Sequence, residues 1–297
     1  MKASLGVVIP THNRADWVGE CVQSVLAQTR PADSVIVVDD GSTDGTERAL
    51  AGFGDAISIE RQARSGPAAA KNRGVRRSTA DWILFVDSDD MLAPQALGTI
   101  EQTIGDRPDH DLFSVRALEI TETGTPTGRE FGKRSPGTGY TTAGLLRHDA
   151  GGCSWFAVRR GAFDAVGGFD DELRSAEECD FALRLSQHHR LFAIQQPLIL
   201  RRQHGGMLSS DVELNARCWL RTLAKLRGER PDWVDANRTT FDRSWAKEHL
   251  RLARALLASD ARGALPEATE ALRVATTHRP FHLRSWAYRA RATLLGR

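Results

Sequence analysis

Short runs of β-branched and aliphatic residues alternate with stretches of helical periodicity along the first ninety or so residues. This alternation is typical of βαβ units, because parallel strands need a crossover connection, usually a helix, between them. The runs are Val7-Val8-Ile9, Val35-Ile36-Val37-Val38, Ile57-Ser58-Ile59 and Ile83-Leu84-Phe85-Val86. The sequence therefore predicts an α/β fold with a mainly parallel sheet flanked by helices.

The segment between the first two runs has the pattern of an amphipathic helix. Its apolar residues recur three or four positions apart and are Trp17, Val18, Cys21, Val22, Val25 and Leu26. Asn13 precedes this pattern and Pro31 follows it, which suits a helix start and a helix end. We therefore expect a helix here that Asn13 is able to cap.

The chain has 297 residues, which favours one large α/β domain with a smaller appendage. After about Asp211 the apolar pattern becomes wholly helical, and residues 241–277 resemble one helical hairpin of a repeat protein. The charge changes at nearly the same place, because residues 1–213 carry a net charge of −7 and residues 214–297 carry +9. We expect an all-helical, basic C-terminal extension.

The composition also indicates where in the cell the protein works and which partners it could bind. No run reaches the 18 or so apolar residues of a membrane span, and the first apolar run is too short for a signal peptide, so we expect a cytoplasmic protein. The basic helices suit peripheral contact with the inner membrane face or with a partner, and an oligomer is left open. They lack the Lys/Arg block and aromatic platform that favour nucleic acid binding. The four cysteines have no CxxC spacing, which argues against a zinc site or disulfide framework.

Residues 121–140 are rich in Gly, Thr and Pro. A loop of this length inside a compact domain commonly serves as a lid or a binding loop, although a plain surface loop is about as frequent. We expect one long, mobile loop over this segment.

Polar residues follow three of the predicted strands directly. Ligands of open α/β sheets bind beyond the carboxyl ends of the strands, so these residues are candidates for a site. The segments are Pro10-Thr11-His12-Asn13-Arg14, Asp39-Asp40-Gly41-Ser42-Thr43-Asp44 and Asp87-Ser88-Asp89-Asp90. Each segment also has a structural explanation, as a helix cap, a turn and a second capping cluster, respectively.

Several carboxylates meet at one sheet edge in this arrangement. They would repel each other unless a cation or a donor-rich ligand neutralised them. Mg²⁺ or Mn²⁺ is the simplest such cation, because these hard ions prefer oxygen ligands and commonly bind through one or two carboxylates plus substrate phosphates. The acidic edge therefore predicts a divalent metal ion and a nucleoside diphosphate.

These motifs and their order resemble those of family 2 glycosyltransferases with the GT-A fold, a Rossmann-like α/β architecture. The resemblance spans residues 5 to about 209 and rests on segments 8–14, 37–44, 70–74 and 84–90. It implies a GT-A domain over residues 1–210, with a nucleotide-binding half of about 1–110 and an acceptor half of about 111–210. Residues 211–297 would then be the helical extension. His12 departs from the pattern, because the family more often has Tyr or Phe there.

The resemblance implies that the strand ends bind a nucleotide sugar. The implied contacts are Pro10, Thr11, Asn13, Arg14, Asp40, Lys71, Asp87 and Ser88. Asp40 would accept a hydrogen bond from the base, which suits the N3–H donor of uracil, and Lys71 would face the base or the phosphates. Asp87 and Asp89 match the family's DXD motif, with Asp87 near the ribose and Asp89 as the direct metal ligand. Asp90 would support them.

A later segment, residues 166–184, resembles the acceptor side of the family. Glu177-Glu178 stands where the family usually has Glu-Asp, whose second member is the general base. Glu178 is therefore the implied base, with Glu177 and Asp180 as rivals, and its arm is one methylene longer than that of Asp. The alternative explanation is structural: acidic residues favour a helix N-terminus, and Arg184 is placed to pair with Asp180 one turn away.

Two further residues are candidates for the site. His204 lies in a segment, residues 201–209, that resembles the family's late histidine segment. It would complete the metal shell or bind the diphosphate, and the alternative is an ordinary surface histidine. Trp155 is either a platform for an acceptor sugar or a core tryptophan.

The resemblance favours a metal-dependent, inverting glycosyltransferase of polysaccharide biosynthesis. Glu178 would take a proton while a hydroxyl of a glycan, lipid-linked or small-molecule acceptor displaces the diphosphate of a donor, with a UDP-sugar favoured. One alternative is a nucleotidyltransferase or NAD-type oxidoreductase of similar fold, but GxGxxG and GxxxxGK[ST] are missing. The other is a catalytically silent sugar-binding module.

Overall fold

The computed structural model describes residues 3–132, 141–147, 155–205, 207, 210–258 and 265–278. Contacts divide the chain into two compact units, one within residues 1–145 and 149–206 and the other within 146–148 and 207–297. No helix in the described ranges is long and apolar enough to cross a membrane.

The strands of the described residues are β1 Leu5–Thr11, β2 Ser34–Asp40, β3 Ser58–Gln62, β4 Trp82–Phe85, β5 Met91–Leu92, β6 Leu112–Ile120, β7 Pro126–Phe131, β8 Phe156–Arg159 and β9 Leu191–Arg202. The helices are α1 Val18–Leu26, α2 Thr46–Ala51, α3 Pro67–Arg77, α4 Ala96–Asp106, α5 Thr142–Arg147, α6 Arg160–Ala165, α7 Glu177–Leu185, α8 Val212–Glu229, α9 Pro231–Ala236, α10 Arg238–Ala258 and α11 Leu265–His278. Each apolar run of the sequence analysis falls in or beside one of the first four strands.

These strands form a single sheet in the part of the chain that the structure describes. Its main path is β3-β2-β1-β4-β8-β6-β9-β5, and β7 pairs with β6. The pairs β2–β3, β1–β2 and β1–β4 are parallel, as expected for βαβ units. Beyond β4 the sheet becomes mixed, because β8 runs antiparallel to both β4 and β6, while β6 and β9 are parallel. The carboxyl ends of β1, β2 and β4 therefore open at the same edge.

Strand β1 is buried along its whole length, which requires cover on both faces of the sheet. On one side, Val18, Cys21, Val22 and Val25 of α1 join the same apolar cluster as β1. The predicted helix is therefore present, but its predicted cap is wrong. Asn13 lies at φ 52° in the loop before α1. The residue that precedes the helix is Trp17, and no side chain caps it.

A β-hairpin occupies part of the segment for which we expected one long loop. Residues Pro126–Phe131 form β7, which pairs antiparallel with β6. The turn is closed by a hydrogen bond from the Thr121 N–H to the Thr125 carbonyl, and Gly124 lies at φ +88°. The loop prediction is wrong for these residues because β6 offers them a free backbone edge. Residues 133–140 lie outside the described ranges.

The second unit is helical throughout its described residues. The carboxylate of Asp211 accepts a hydrogen bond from the Leu214 N–H and so caps α8. Helices α10 and α11 form the expected hairpin, with Leu252 and Leu256 packed in one apolar cluster with Ala268 and Leu272. This unit therefore has its own core.

The close approach of α3 to the sheet generates a stability prediction. A Cβ added at Gly74 would lie 2.3 Å from Cγ1 of Val8 and 3.3 Å from Cγ2 of Val38. Both valines are fully buried and stiff, so Gly74→Ala should destabilise the protein by about 1–3 kcal/mol, the usual cost of overpacking. Urea unfolding would measure this. Gly19→Ala is the matched control, because its added Cβ meets nothing within 4 Å; equal stability of both variants would contradict the prediction.

Candidate active site

The loops that follow β1 and β2 are tied together by hydrogen bonds between side chains and backbone. The Asn13 N–H donates to Ser42 Oγ at 2.9 Å, and the Thr43 N–H donates to Asn13 Oδ1 at 2.9 Å. The Arg14 N–H donates to Thr46 Oγ1 at 2.9 Å. The left-handed conformation of Asn13 allows this exchange. The Asn13 side chain thus anchors the loop that follows β2, a role that differs from the predicted helix cap.

Pro10 and Thr11 end β1 and are both buried. Thr11 Oγ1 has no hydrogen-bond partner among the described residues, which is costly for a buried hydroxyl. His12 Nδ1 hydrogen-bonds the carbonyl of Asp40 at 2.9 Å, with the proton placed on Nδ1. His12 therefore links the ends of β1 and β2 through a polar contact that Phe could not make.

The carboxylate of Asp40 organises the loop before α3. Its Oδ1 accepts hydrogen bonds from the Ser65 N–H at 2.7 Å and from Gln62 Nε2 at 2.8 Å, and its Oδ2 accepts one from the Gly66 N–H at 2.8 Å. A carboxylate has about four acceptor positions, so these contacts use three of them. Asp40 is buried, and Gly66 lies at φ +101° to bring its N–H into place.

Asp90 is a buried support for the motif that follows β4. Its Oδ1 accepts a hydrogen bond from the Arg202 N–H at 3.0 Å, and its Oδ2 accepts one from Trp155 Nε1 at 2.9 Å. Burial and the negative charges of Asp89 and Asp87 raise the pKa of Asp90 well above its usual value. The platform role of Trp155 is wrong, because the indole is 4% exposed within the main apolar cluster and its N–H is bound to Asp90.

Asp89 and His204 lie in contact although 115 residues separate them in the sequence. Asp89 Oδ2 is 3.0 Å from His204 Nε2 and accepts a hydrogen bond from Arg14 Nε at 3.1 Å. Burial alone would raise the pKa of Asp89, but the hydrogen bond from His204 and the charge of Arg14 lower it, so the carboxylate is ionised. Trp17 packs on His204 with a ring-centroid distance of 4.3 Å.

The donor set of this pair fits a divalent ion. Within the described ranges no group of three or more His, Cys, Asp or Glu residues is placed to hold a metal. Mg²⁺ nevertheless commonly binds through one or two carboxylates plus substrate phosphates, so Asp89 together with a diphosphate suffices, and His204 would add a nitrogen ligand. His204 would release the Nε2 proton to serve as a ligand. The residues therefore fit Mn²⁺ or Mg²⁺ bound together with a nucleoside diphosphate.

Asp87 is exposed to a ligand, whereas Ser88 is buried. The Asp87 side chain is 40% exposed, whereas that of Asp89 is 18% exposed. Ser88 is buried in the turn that the Asp90 N–H closes on the Asp87 carbonyl at 2.9 Å. Asp87 is therefore the most accessible carboxylate of this motif.

Lys71 does not occupy the position that the sequence resemblance implied. Its Nζ donates hydrogen bonds to Glu177 Oε1 at 2.9 Å and to Glu178 Oε1, and its side chain is 2% exposed. Burial alone would lower the pKa of Lys71, but the charges of Glu177 and Glu178 raise it well above its usual value. The expectation that Lys71 faces the base or phosphates is therefore wrong for this structure: the charged ammonium is paired with the two glutamates at the start of α7.

Helix α7 begins directly with its acidic residues. Asp180 Oδ2 accepts a hydrogen bond from Arg184 Nε at 2.8 Å, so the predicted pair is confirmed. Arg184 also donates to the carbonyls of Val166 and Gly168 at 2.6 and 2.7 Å. Asp180 is 1% exposed and is paired with Arg184, which also binds the loop before α7. This structural role argues against Asp180 as the base.

Glu178 has the electrostatics of a group that exchanges protons near neutral pH. Burial and the negative charge of Glu177 raise its pKa to about 8, although Lys71 opposes them. The Glu178 side chain is 11% exposed and that of Glu177 is 5% exposed. A base is most effective when its pKa lies near the working pH. Glu178 meets this condition.

Asn72 and Arg202 are structurally central, and we had assigned neither a role. Asn72 Oδ1 accepts from the Phe169 N–H at 2.9 Å, while its Nδ2 donates to the Phe169 carbonyl at 2.9 Å and to Asp171 Oδ1 at 2.7 Å. Arg202 donates from Nε to the Asp89 carbonyl at 3.1 Å. Both lie inside motifs that resemble the family, but their partners are about 100 residues away, so no local pattern could identify them.

The fold and the site first define a class: the structure has the GT-A fold, an α/β sheet whose parallel half opens at an acidic edge. The sequence model of Glycosyl transferase family 2 matches residues 6–167, and the chain belongs to this family. An uncharacterised glycosyltransferase of Haemophilus influenzae is 28% identical over 197 residues, which are 65% of this chain and 66% of that protein. The matches span 15% of the length of two further curated relatives.

Two solved structures have a similar fold at low sequence identity. Residues 1–349 of TarS from S. aureus, in complex with UDP-GlcNAc, match with a TM-score of 0.70 and 19% identity, over 97% of this chain and 87% of that one. The mannosyltransferase PcManGT from Pyrobaculum calidifontis, in complex with GDP-Man and Mn²⁺, matches with a TM-score of 0.62 and 20% identity. That match covers 98% of this chain and 84% of the mannosyltransferase.

The contacts of Asn72 generate a second stability prediction. Asn72→Ala would leave the buried N–H and carbonyl of Phe169 without this partner, and each such group costs about 1–3 kcal/mol. We expect a loss of at least about 2 kcal/mol in the free energy of unfolding, measured with urea. Asn72→Asp keeps only the acceptor for the Phe169 N–H and adds repulsion with Asp171, so it should also destabilise the protein. Wild-type stability in both variants would show that the Asn72 contacts do not contribute to the free energy of unfolding.

Proposed function

We propose that this chain is an inverting glycosyltransferase that moves a sugar from a nucleoside-diphosphate sugar to a hydroxyl of a glycan, lipid-linked or small-molecule acceptor. The observation that carries the proposal is the place of Glu178 relative to the strand-end motif. One lysine, Lys71, hydrogen-bonds Glu178 and lies 3.9 Å from Asp87 Oδ1. A proton acceptor and the accessible carboxylate of the donor edge thus both contact one buried lysine.

A UDP-sugar is the donor that we favour. Asp40 retains one acceptor position beyond its contacts with described residues, and the N3–H of uracil is a single donor that suits it. The fold is shared with TarS in complex with UDP-GlcNAc and with PcManGT in complex with GDP-Man. A guanine donor is the competing outcome, which binding experiments with both nucleotides distinguish.

Asp89 and His204 are the residues that would hold Mn²⁺ or Mg²⁺ together with the donor diphosphate. The ion, when bound, supplies positive charge that stabilises the negative charge developing on the leaving diphosphate. Arg14 contacts the same Asp89 oxygen at 3.1 Å and adds a second positive charge at this edge. Asp87 remains accessible for a hydroxyl of the ribose.

The reaction is a single displacement at the anomeric carbon. A bond forms between the acceptor oxygen and the anomeric carbon while the bond from that carbon to the diphosphate oxygen breaks. The proton of the acceptor hydroxyl passes to a carboxylate oxygen of Glu178. Attack opposite the leaving group inverts the configuration, and one base suffices because no enzyme-bound sugar forms.

The domain roles belong to the same proposal. Residues 1–210 would be the catalytic domain, with nucleotide and acceptor halves of about 1–110 and 111–210, and residues 211–297 would be a helical extension. The described helices of the second unit carry part of the basic charge of the sequence, although Arg217 is paired with Glu213 and Glu267. We propose a cytoplasmic protein whose extension contacts the inner membrane face.

The metal role of Asp89 can be tested by binding. Calorimetry with UDP and GDP should show nucleotide binding in the presence of Mn²⁺ or Mg²⁺ and its loss with a chelator. Asp89→Ala should also lose it, because the variant removes the carboxylate that would hold the ion. Asp55→Ala removes an exposed carboxylate outside the site and is the matched control. Equal, metal-independent affinity in wild type and Asp89→Ala would remove the metal from the proposal.

The role of Glu178 as base can be tested by turnover. Glu178→Gln keeps the shape of the side chain, so donor binding should persist while transfer falls by about 10²-fold to 10⁴-fold, the usual contribution of a general base. Glu177→Gln should have a smaller effect. Turnover must be compared at saturating donor and acceptor. If Glu178→Gln transfers sugar normally while Glu177→Gln is inactive, the base is Glu177.

The products separate this activity from the alternatives. A panel of nucleotide sugars should release a nucleoside diphosphate, whereas a nucleotidyltransferase would release pyrophosphate. A silent sugar-binding module would bind a donor but release neither product, with or without acceptor. Either result would overturn the proposed activity while leaving the family assignment intact.

A further inference from the structure

Lys71 is the only side chain described that joins α3 to both glutamates at the start of α7. It lies near the middle of α3, and its Nζ contacts Glu177, Glu178 and, at 3.9 Å, Asp87. The ring of Phe169 packs beside the ammonium at 5.6 Å. A lysine held this deeply has no route to a nucleotide base or phosphate unless these contacts break.

The charges around Lys71 do not balance. Three carboxylates face one ammonium, and the two glutamates are almost completely buried. Ionisation of both glutamates beside a single ammonium would bury a negative charge that Lys71 does not neutralise, which is costly. One proton is therefore shared within the group: burial raises the pKa of Asp87 to about 6, and burial and the charge of Glu177 raise that of Glu178 further, to about 8.

We propose that Lys71 is a positioning residue for the base Glu178 and does not contact the donor's base or phosphates. This inference rests on the proposed function, because it concerns how that base is held and charged. The hydrogen bond from Nζ fixes the rotamer of Glu178, and the positive charge favours the ionised form that accepts a proton. Its contact with Asp87 places this positive charge between the acceptor side and the donor edge.

The charged groups around Glu178 determine the pH at which it ionises. Glu177 on the same helix and Asp87 at the end of β4 disfavour ionisation, and Lys71 on α3 favours it. Within the part of the chain that the structure describes, removal of Lys71 leaves Glu177 and Asp87 acting on Glu178, and both oppose its ionisation. The pKa of Glu178 must then rise, and the fraction of ionised base at a given pH must fall.

The experiment measures the pKa of Glu178 directly. Protein labelled with ¹³C in the glutamate carboxyl groups is titrated by NMR, and Glu178→Gln identifies the signal. Wild type should titrate at about 8, and Lys71→Met should titrate at about 9 or above, because an opposite charge within 4–6 Å moves a pKa by about 1 to 3. Lys71→Arg should restore most of the wild-type value. Arg77→Met, which removes an exposed cation from the same helix, should leave it unchanged.

Calorimetry with UDP and Mn²⁺ supplies the second readout. The inference expects the affinity of Lys71→Met to lie within about twofold of wild type, whereas a lysine that binds phosphate would typically be worth about 1.5–3 kcal/mol, or more than tenfold. If Lys71→Met fails to fold, the double variant Lys71→Met/Glu177→Gln is compared with Glu177→Gln in both measurements, so that the charge of Lys71 is the only difference between them. An unchanged pKa of Glu178 together with a large loss of UDP affinity would overturn the inference. Failure of wild type to bind any nucleotide would instead overturn the proposed function.

Discussion

The parallel pairing of β2, β1 and β4 is the constraint on which the site depends, because it opens three strand ends at one edge. Two of these ends carry adjacent carboxylates, so the fold concentrates negative charge before any ligand arrives. Charge of this density must be neutralised locally or it destabilises the folded state. The loops, α3, α7 and the end of β9 are arranged around that requirement.

The protein itself neutralises much of this charge. Backbone N–H groups satisfy Asp40, the indole of Trp155 and a backbone N–H satisfy Asp90, and Arg14 and His204 share Asp89. The crowded carboxylates therefore do not require a metal by themselves, because donors within the chain satisfy most of them. The case for a metal rests instead on the chemistry of the Asp89–His204 pair and on the diphosphate that a donor would bring.

The sequence was informative wherever the physical signal was local. Period and composition located the four parallel strands and α1, and Arg184 was correctly paired with Asp180 because helical geometry places residues four apart together. The sequence was not informative where a residue contacts a partner far along the chain, or where a strand forms only because another strand offers an edge. Nothing local to Lys71 shows that α7 will cover it, and a Gly- and Thr-rich segment becomes β7 only because β6 offers an edge. Trp155 was ambiguous because burial is a property of the fold.

Ala176 sets the start of α7, and the first two residues of this helix are the glutamates that contact Lys71. Neighbouring positions on a helix point about 100° apart, yet both carboxylates contact the same Nζ. Ala176 lies at φ 58°, and α7 begins immediately after it. A left-handed alanine costs about 1 kcal/mol, and such strain persists only where the surrounding contacts hold it. The hydrogen bonds from Lys71, together with those from Arg184 to the preceding loop, are such contacts, so they hold Glu177 and Glu178 in one arrangement despite the strain and the buried charge.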